Sequence, residues 1–271
     1  MSLKLFAVAV FGILLIFIIF GVSFGQNFFY YPEIGKSHYT PNDIGLDYED
    51  VYFESLDGTK LHGWFISSTE KAKGTVIHIH GNAGKLENHL NFVGWLPKNG
   101  YNLFMFDYRG FGLSEDKRQT PKALMDDTKT AIGYIRGRMG RDKLFILAQS
   151  LGGNNAIAAI ASGQRRGIKA VLIDSTFVSY KEIADETFAY SGIFVSDKYS
   201  AKNFIADISP IPLLFIHGTS DNIVPYKHSE KLYALAKHPK KLIIVPHAQH
   251  LSALQSEIYQ NEVLRFFDEN L

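Results

Sequence analysis

Ala148-Gln149-Ser150-Leu151-Gly152-Gly153 puts a serine where a run of strand-forming residues gives way to a helical pattern. A strand that turns directly into a helix lifts the residue at the apex out of the sheet, and only small neighbours permit so tight a turn. Gly152 supplies that room two positions after the serine. Two positions before it, where glycine is the commoner choice, stands Ala148, one methyl larger. Such a serine is either a nucleophile or a plain cap of the following helix. A hydroxyl is a weak nucleophile that needs a general base, and the base needs a carboxylate to orient it. His217-Gly218-Thr219-Ser220-Asp221 sets Asp221 just past a later strand, and His247-Ala248-Gln249-His250 sets His250 just past the next. The order serine, acid, histidine then converges on one edge of a parallel sheet. Asp174 is a second candidate acid and His247 a second candidate base. Asp221 is preferred because it follows the strand immediately before the histidine's, and His250 because it sits further into its loop and has more freedom to reach back.

Acyl transfer also requires donors for a developing oxyanion. The Leu151 N–H is one, following the serine at a helix N-terminus. The loop His80-Gly81-Asn82-Ala83-Gly84 follows an earlier strand, and its glycines permit a tight turn that presents the Asn82 N–H; the plain alternative is an ordinary glycine-rich loop.

These residues need a sheet to carry them. Residues 51–55 and 61–66 flank Asp57-Gly58, a hairpin signal. Strand-like runs at 75–80, 102–106, 143–148, 169–173, 213–217 and 241–246 then alternate with helical segments, including 121–136, 152–161, 226–236 and 256–267. Strands separated by helix-length segments are parallel βαβ units with right-handed crossovers. The expected fold class is α/β: a mostly parallel, doubly wound sheet with an antiparallel N-terminal hairpin and a short cap insertion. The cap is expected at about 176–210, because the interval between the strands ending at Ile173 and starting at Leu213 is longer than a crossover needs. Its aromatic content, with Phe177, Phe188 and Phe194 as candidate substrate-binding residues, has the composition of an acyl-chain wall over the carboxyl edge of the sheet.

The chain has 271 residues, 46% hydrophobic and 20% charged, with 28 Lys and Arg against 27 Asp and Glu. The near-neutral balance gives no electrostatic reason to expect nucleic acid. Cysteine is absent, which excludes disulfides, thiolate metal sites and cysteine nucleophiles. Gly110-Phe111-Gly112 lacks the third glycine and the spacing of a dinucleotide fingerprint. His78, His80, His247 and His250 lack a supporting carboxylate cluster, so neither a metal nor another cofactor is expected.

No charged residue stands between Lys4 and Glu33, and residues 5–24 are apolar, enough to cross ~30 Å of hydrocarbon as a helix. Residues 1–25 are therefore read as a transmembrane signal-anchor, 26–50 as a connector and 51–271 as the catalytic domain. Cleavage of a signal peptide near Ser23 or Gly25 is the alternative, which would leave a secreted domain. Lys4 on the N-terminal side predicts a single-pass membrane protein with an extracytoplasmic domain. The aromatics Phe28, Phe29, Tyr30 and Tyr31 suit either a membrane interface or packing on the domain.

Together with Asp57-Gly58-Thr59-Lys60-Leu61-His62-Gly63-Trp64, Asp107-Tyr108-Arg109-Gly110-Phe111-Gly112-Leu113-Ser114 and His217-Gly218-Thr219-Ser220-Asp221-Asn222-Ile223-Val224-Pro225, these motifs resemble those of serine hydrolases of the α/β-hydrolase superfamily. Within it the chain is similar to a membrane-anchored branch grouped with lysophospholipase-like, depalmitoylase-like and serine-aminopeptidase-like proteins. The resemblance implies Ser150 as nucleophile, Asp221 as acid and His250 as base, and says little about substrate. The expected activity is cleavage of acyl esters or thioesters of medium or long chain through an acyl-enzyme. The alternatives are amide or peptide cleavage, with Glu182, Asp185 and Glu186 as candidate sites for a substrate's free amine, and a non-catalytic binding protein on the same fold.

Overall fold

The computed structural model describes residues 29–140 and 143–271. The expected signal-anchor at residues 1–25 lies outside the described residues.

The hairpin forms where Asp57-Gly58 predicts it. Gly58 takes a positive φ of 77°, and Asp57 Oδ1 accepts from the Thr59 N–H at 3.2 Å and its hydroxyl at 2.6 Å. Strands β2 (Tyr48–Glu54) and β3 (Lys60–Ile66) run antiparallel from this turn. The remaining long strands are β4 (Gly74–Ile79), β6 (Tyr101–Asp107), β7 (Leu144–Gln149), β8 (Ile168–Asp174), β9 (Leu213–Gly218) and β10 (Lys240–Val245). They build an eight-stranded sheet in the order β10-β9-β8-β7-β4-β6-β3-β2, parallel from β10 to β6. The expected α/β class with its antiparallel N-terminal hairpin is the observed fold.

Helices cover both faces, as the almost continuously apolar inner strands require. On one face lie α1 (Leu86–Val93) and α6 (Glu257–Asp268), which contribute Leu90, Val93, Val263 and Phe267 to one core. On the other lie α2 (Pro121–Met139), α3 (Leu151–Ala161) and α5 (Lys227–Leu235), with Ile132, Ile135, Ile157 and Leu232 in the second core. Helix α2 begins as its residues dictate: Pro121 fits the first turn, and the Thr120 hydroxyl accepts from the Ala123 N–H at 3.1 Å. The interval after β8 holds α4 (Tyr180–Thr187) and three short 3₁₀ turns.

From β4 the chain first adds β6 on one side and then β7 on the other. This reversal is the topological switch point, where open α/β sheets leave a crevice beyond their carboxyl ends. The loop after β4 and the turn after β7 meet there.

Two elements depart from the sequence expectation. Strand β2 begins at Tyr48, and Tyr31–Pro32 forms a short strand, β1, parallel to β5 (Ala83–Gly84). Both lie in the stretch expected to be a connector, whose Pro, Gly and Asn punctuation hides a pairing too short to show a period. Of the aromatic run, Tyr30 is buried in the core and the Phe29 ring meets Tyr180 edge-on at 5.5 Å.

Two polar assemblies tie the layers. Arg109 Nη2 donates to Asp127 Oδ1 at 2.6 Å and Arg109 Nη1 to Asp57 Oδ2 at 2.8 Å, joining α2 to the hairpin turn. Across three adjacent strands, His78 Nε2–H donates to Gln149 Oε1 at 2.9 Å and Gln149 Nε2 donates to Asp174 Oδ2 at 2.9 Å. Burial, reinforced by neighbouring His89, pushes His78 down to about 3, so the ring is neutral.

Removing Arg109 strands the fully buried Asp127 carboxylate. Arg109→Ala is expected to cost about 3–5 kcal/mol in urea unfolding, and adding Asp127→Asn to recover part of it. His78 makes stability pH-dependent with a definite sign. Below pH 6.5 the unfolded chain binds a proton that the folded ring refuses, so stability is lost as pH falls from 6.5 toward 3. The stability advantage of wild type over His78→Gln should shrink by about 2 kcal/mol between pH 7 and pH 5. A constant difference would contradict the neutral buried ring.

Candidate active site

Ser150 stands between β7 and α3 with φ 52° and ψ −122°, a conformation that non-glycine residues adopt only under constraint. The constraint is close packing. A Cβ on Gly152 would lie 2.1 Å from the Ile79 carbonyl oxygen and 2.5 Å from that of His80. On Gly153 it would lie 2.0 Å from Thr176 Oγ1. The first turn of α3 is thus pressed onto the ends of β4 and β8. The Ser150 N–H donates to the Asp174 carbonyl at 2.8 Å, and the Thr176 hydroxyl donates to the Ser150 carbonyl at 2.9 Å. The Ser150 hydroxyl makes no capping bond to the helix it precedes, which removes the plain capping alternative. Ala148 is fully buried within β7, paired with Ile79 and Ile173, so its extra methyl is core packing.

His250 follows β10 and remains partly exposed. Its Nδ1–H donates to Asp221 Oδ2 at 2.7 Å. The same oxygen accepts at 3.0 Å from His217 Nε2–H, which is shared with the Val224 carbonyl at 2.7 Å, and Asp221 Oδ1 accepts from the N–H groups of Ile223 at 2.9 Å and Val224 at 2.8 Å. Burial alone would raise this carboxyl, but the bonds from His217, His250 and Val224 outweigh it and hold Asp221 well below the usual carboxylate range. An ionised acid is therefore fixed against Nδ1 of His250, which selects the tautomer whose lone pair is on Nε2.

The rival residues are placed differently. Asp174 is fully buried, pushed up by burial, and occupied by Gln149 and by the Ser175 hydroxyl at 3.1 Å. His247 is exposed, and its backbone N–H donates to Thr219 Oγ1 at 2.8 Å. His217 was given no role by sequence reasoning. It anchors Asp221 from four residues upstream while its Nδ1 accepts from the Ser229 hydroxyl at 2.7 Å. A histidine four residues before the candidate acid was the available signal.

The loop after β4 adjoins the serine: a Cβ on Gly81 would lie 3.5 Å from Ser150 Cβ. Two buried imidazoles hold it. His80 Nδ1–H donates to the Gly81 carbonyl at 2.9 Å and His89 Nε2–H to the Ala83 carbonyl at 2.9 Å, their rings stacked 4.6 Å apart. Burial pushes His80 well down and His89 down to about 4, so both are neutral N–H donors. Asn82 lies between them, half-buried. Leu151 opens α3, so its N–H has no intrahelical acceptor.

The three cap aromatics occupy different environments. Phe177 is buried in the core against Tyr180, with its carbonyl bound by Asn154 Nδ2 at 2.8 Å. Phe188 is 74% exposed at the end of α4, beside exposed Tyr190 and Ile193, and Phe194 is half-buried. Phe177 is thus part of the packing beneath the insertion.

A family model described as "Serine aminopeptidase, S33" matches residues 70–195, and one described as "Serine hydrolase (FSH1)" matches residues 148–254. The YfhR protein of Escherichia coli O157:H7 is 44% identical, with 93% of each chain covered. The α/β-hydrolase domain-containing protein WAV2 of Arabidopsis thaliana is 30% identical over 92% of this chain and 89% of its own. Among solved structures, the Pyrococcus furiosus esterase Pf2001 matches with a TM-score of 0.73 at 24% identity, covering 88% of this chain and 98% of that one. The chain belongs to the serine hydrolases of the α/β-hydrolase superfamily.

Proposed function

We propose that this serine hydrolase cleaves acyl esters or thioesters through a Ser150-His250-Asp221 triad. The observation that carries the reading is the 2.7 Å bond from His250 Nδ1–H to an ionised, four-donor Asp221, on the same sheet edge as the constrained Ser150 turn. His250 Nε2 takes the Ser150 proton as Oγ attacks the acyl carbonyl carbon. The tetrahedral oxyanion is held by the Leu151 and Asn82 N–H groups. Collapse expels the alcohol or thiol, protonated by His250, and leaves an acyl-enzyme. Water, deprotonated by the same ring, then releases the acid and restores Ser150.

The acyl portion is of medium or long chain, and the exposed Phe188, Tyr190 and Ile193 on the cap support an apolar substrate. Residues 5–24 would anchor the enzyme as a single span, with its domain extracytoplasmic; the uninterrupted apolar run supports this. Amide cleavage is the second reading, favoured by the aminopeptidase description of the family model. It needs a free carboxylate for the substrate amine, and the three candidates are taken. Glu182 pairs with Lys231 at 2.6 Å, Asp185 accepts from the Gly192 N–H at 2.7 Å and Glu186 pairs with His228 at 2.7 Å.

Asp221→Asn should lower kcat on an activated ester by on the order of 10³–10⁴, and Asp174→Asn by far less. The reverse ranking would contradict the triad assignment. Along a series of esters from acetyl to dodecanoyl, kcat/KM should rise; a flat or falling series would contradict a long-chain substrate. A C-terminal reporter active only in the cytoplasm would overturn the proposed orientation.

A further inference from the structure

The loop proposed to carry an oxyanion donor has a donor on each of its five consecutive carbonyls. The Tyr108 hydroxyl donates to His80 O at 3.0 Å, His80 Nδ1–H to Gly81 O and His89 Nε2–H to Ala83 O. The other two come from the chain's first described strand: the Tyr31 N–H donates to Asn82 O at 2.8 Å and the Glu33 N–H to Gly84 O at 3.0 Å. Asn82 Nδ2 returns a bond to the Phe29 carbonyl at 2.9 Å. Two of the strand's three bonds therefore fall on Asn82 itself.

The strand is latched at both ends. Upstream, Tyr30 is buried in the core and Phe29 meets Tyr180 of the cap helix. Downstream, the Gly112 N–H donates to Glu33 O and the Gly35 N–H to Gly112 O, both at 2.8 Å. Gly112 is closely packed: it has φ 53°, and a Cβ there would meet Asp107 Oδ2 at 1.9 Å.

We infer that residues 29–35 are a brace that aims the Asn82 N–H, with the Tyr31 N–H as its principal positioning group. This rests on the reading of Asn82 as an oxyanion donor. A peptide's C=O and N–H point in opposite directions. Holding the Gly81 carbonyl through His80 therefore turns the Asn82 N–H of the same peptide the other way. Holding the next carbonyl, Asn82 O, through Tyr31 fixes the following peptide. With both peptides pinned, the φ and ψ of Asn82 are no longer free. Oxyanion donors work only when aimed before charge develops, so slack here lowers turnover rather than ground-state binding. A segment that sequence punctuation marks as a linker thereby becomes part of the site's support.

The Tyr31 side chain is 58% exposed, which permits a clean comparison in the full-length protein. Tyr31→Ala keeps the N–H and should match wild type. Tyr31→Pro removes that N–H, while also fixing φ at residue 31 and restricting Tyr30, and should lower kcat on a short-chain ester about tenfold or more with KM close to that of Tyr31→Ala. If Tyr31→Pro does not fold, Asn82→Ala carries the test. It removes the bond to the Phe29 carbonyl and keeps every backbone donor, and it should also lower kcat at unchanged KM. Full kcat in folded Tyr31→Pro, or in Asn82→Ala where the proline variant does not fold, overturns the brace while the Ser150-dependent reading stands. Wild type without Ser150-dependent turnover overturns that reading and the brace with it.

Discussion

The first turn of α3 can lie against the end of β4 only because residue 152 has no side chain. The carbonyl oxygens of Ile79 and His80 occupy the space a Cβ would need. Everything at the carboxyl edge depends on that approach. It sets the positive φ at Ser150, keeps the hydroxyl out of a helix cap and brings the loop after β4 against the serine. The sheet order makes this approach central, since β4 and β7 are the neighbours between which the chain reverses its direction of growth.

Around this contact the structure is rigid on one side and receptive on the other. Asp221 is saturated by four donors, and five successive loop carbonyls are all engaged. Among the described residues, Nε2 of His250 and the Ser150 hydroxyl have no such partner, as the proposed mechanism needs. Burial keeps His78, His80 and His89 neutral, so these rings can serve as fixed N–H donors to the loop and to Gln149 without placing positive charge beneath Ser150.

Much of this was legible in the residues, because each part has a local cause. Asp57-Gly58 turns a hairpin, alternating apolar runs build parallel units, and Gly152 marks a close approach. Asp221 rather than Asp174 takes the bond from His250, as strand order predicts. The illegible parts are long-range. Nothing in the composition of residues 26–50 shows that Tyr31 and Glu33 pair with a loop fifty residues away. Nor does the aromatic content of the cap distinguish Phe177, which is buried as packing, from exposed Phe188. His217 was hidden for a different reason: it lies in a strand, where a histidine reads as core until its partner's position is known.

The central claim is that Ser150 is an activated nucleophile. It is tested most directly by treating the folded full-length protein with a fluorophosphonate and locating the adduct by peptide mass mapping. The account predicts a single adduct on the peptide containing Ser150, absent in Ser150→Ala. An adduct on another residue, or none on folded wild type, would contradict it.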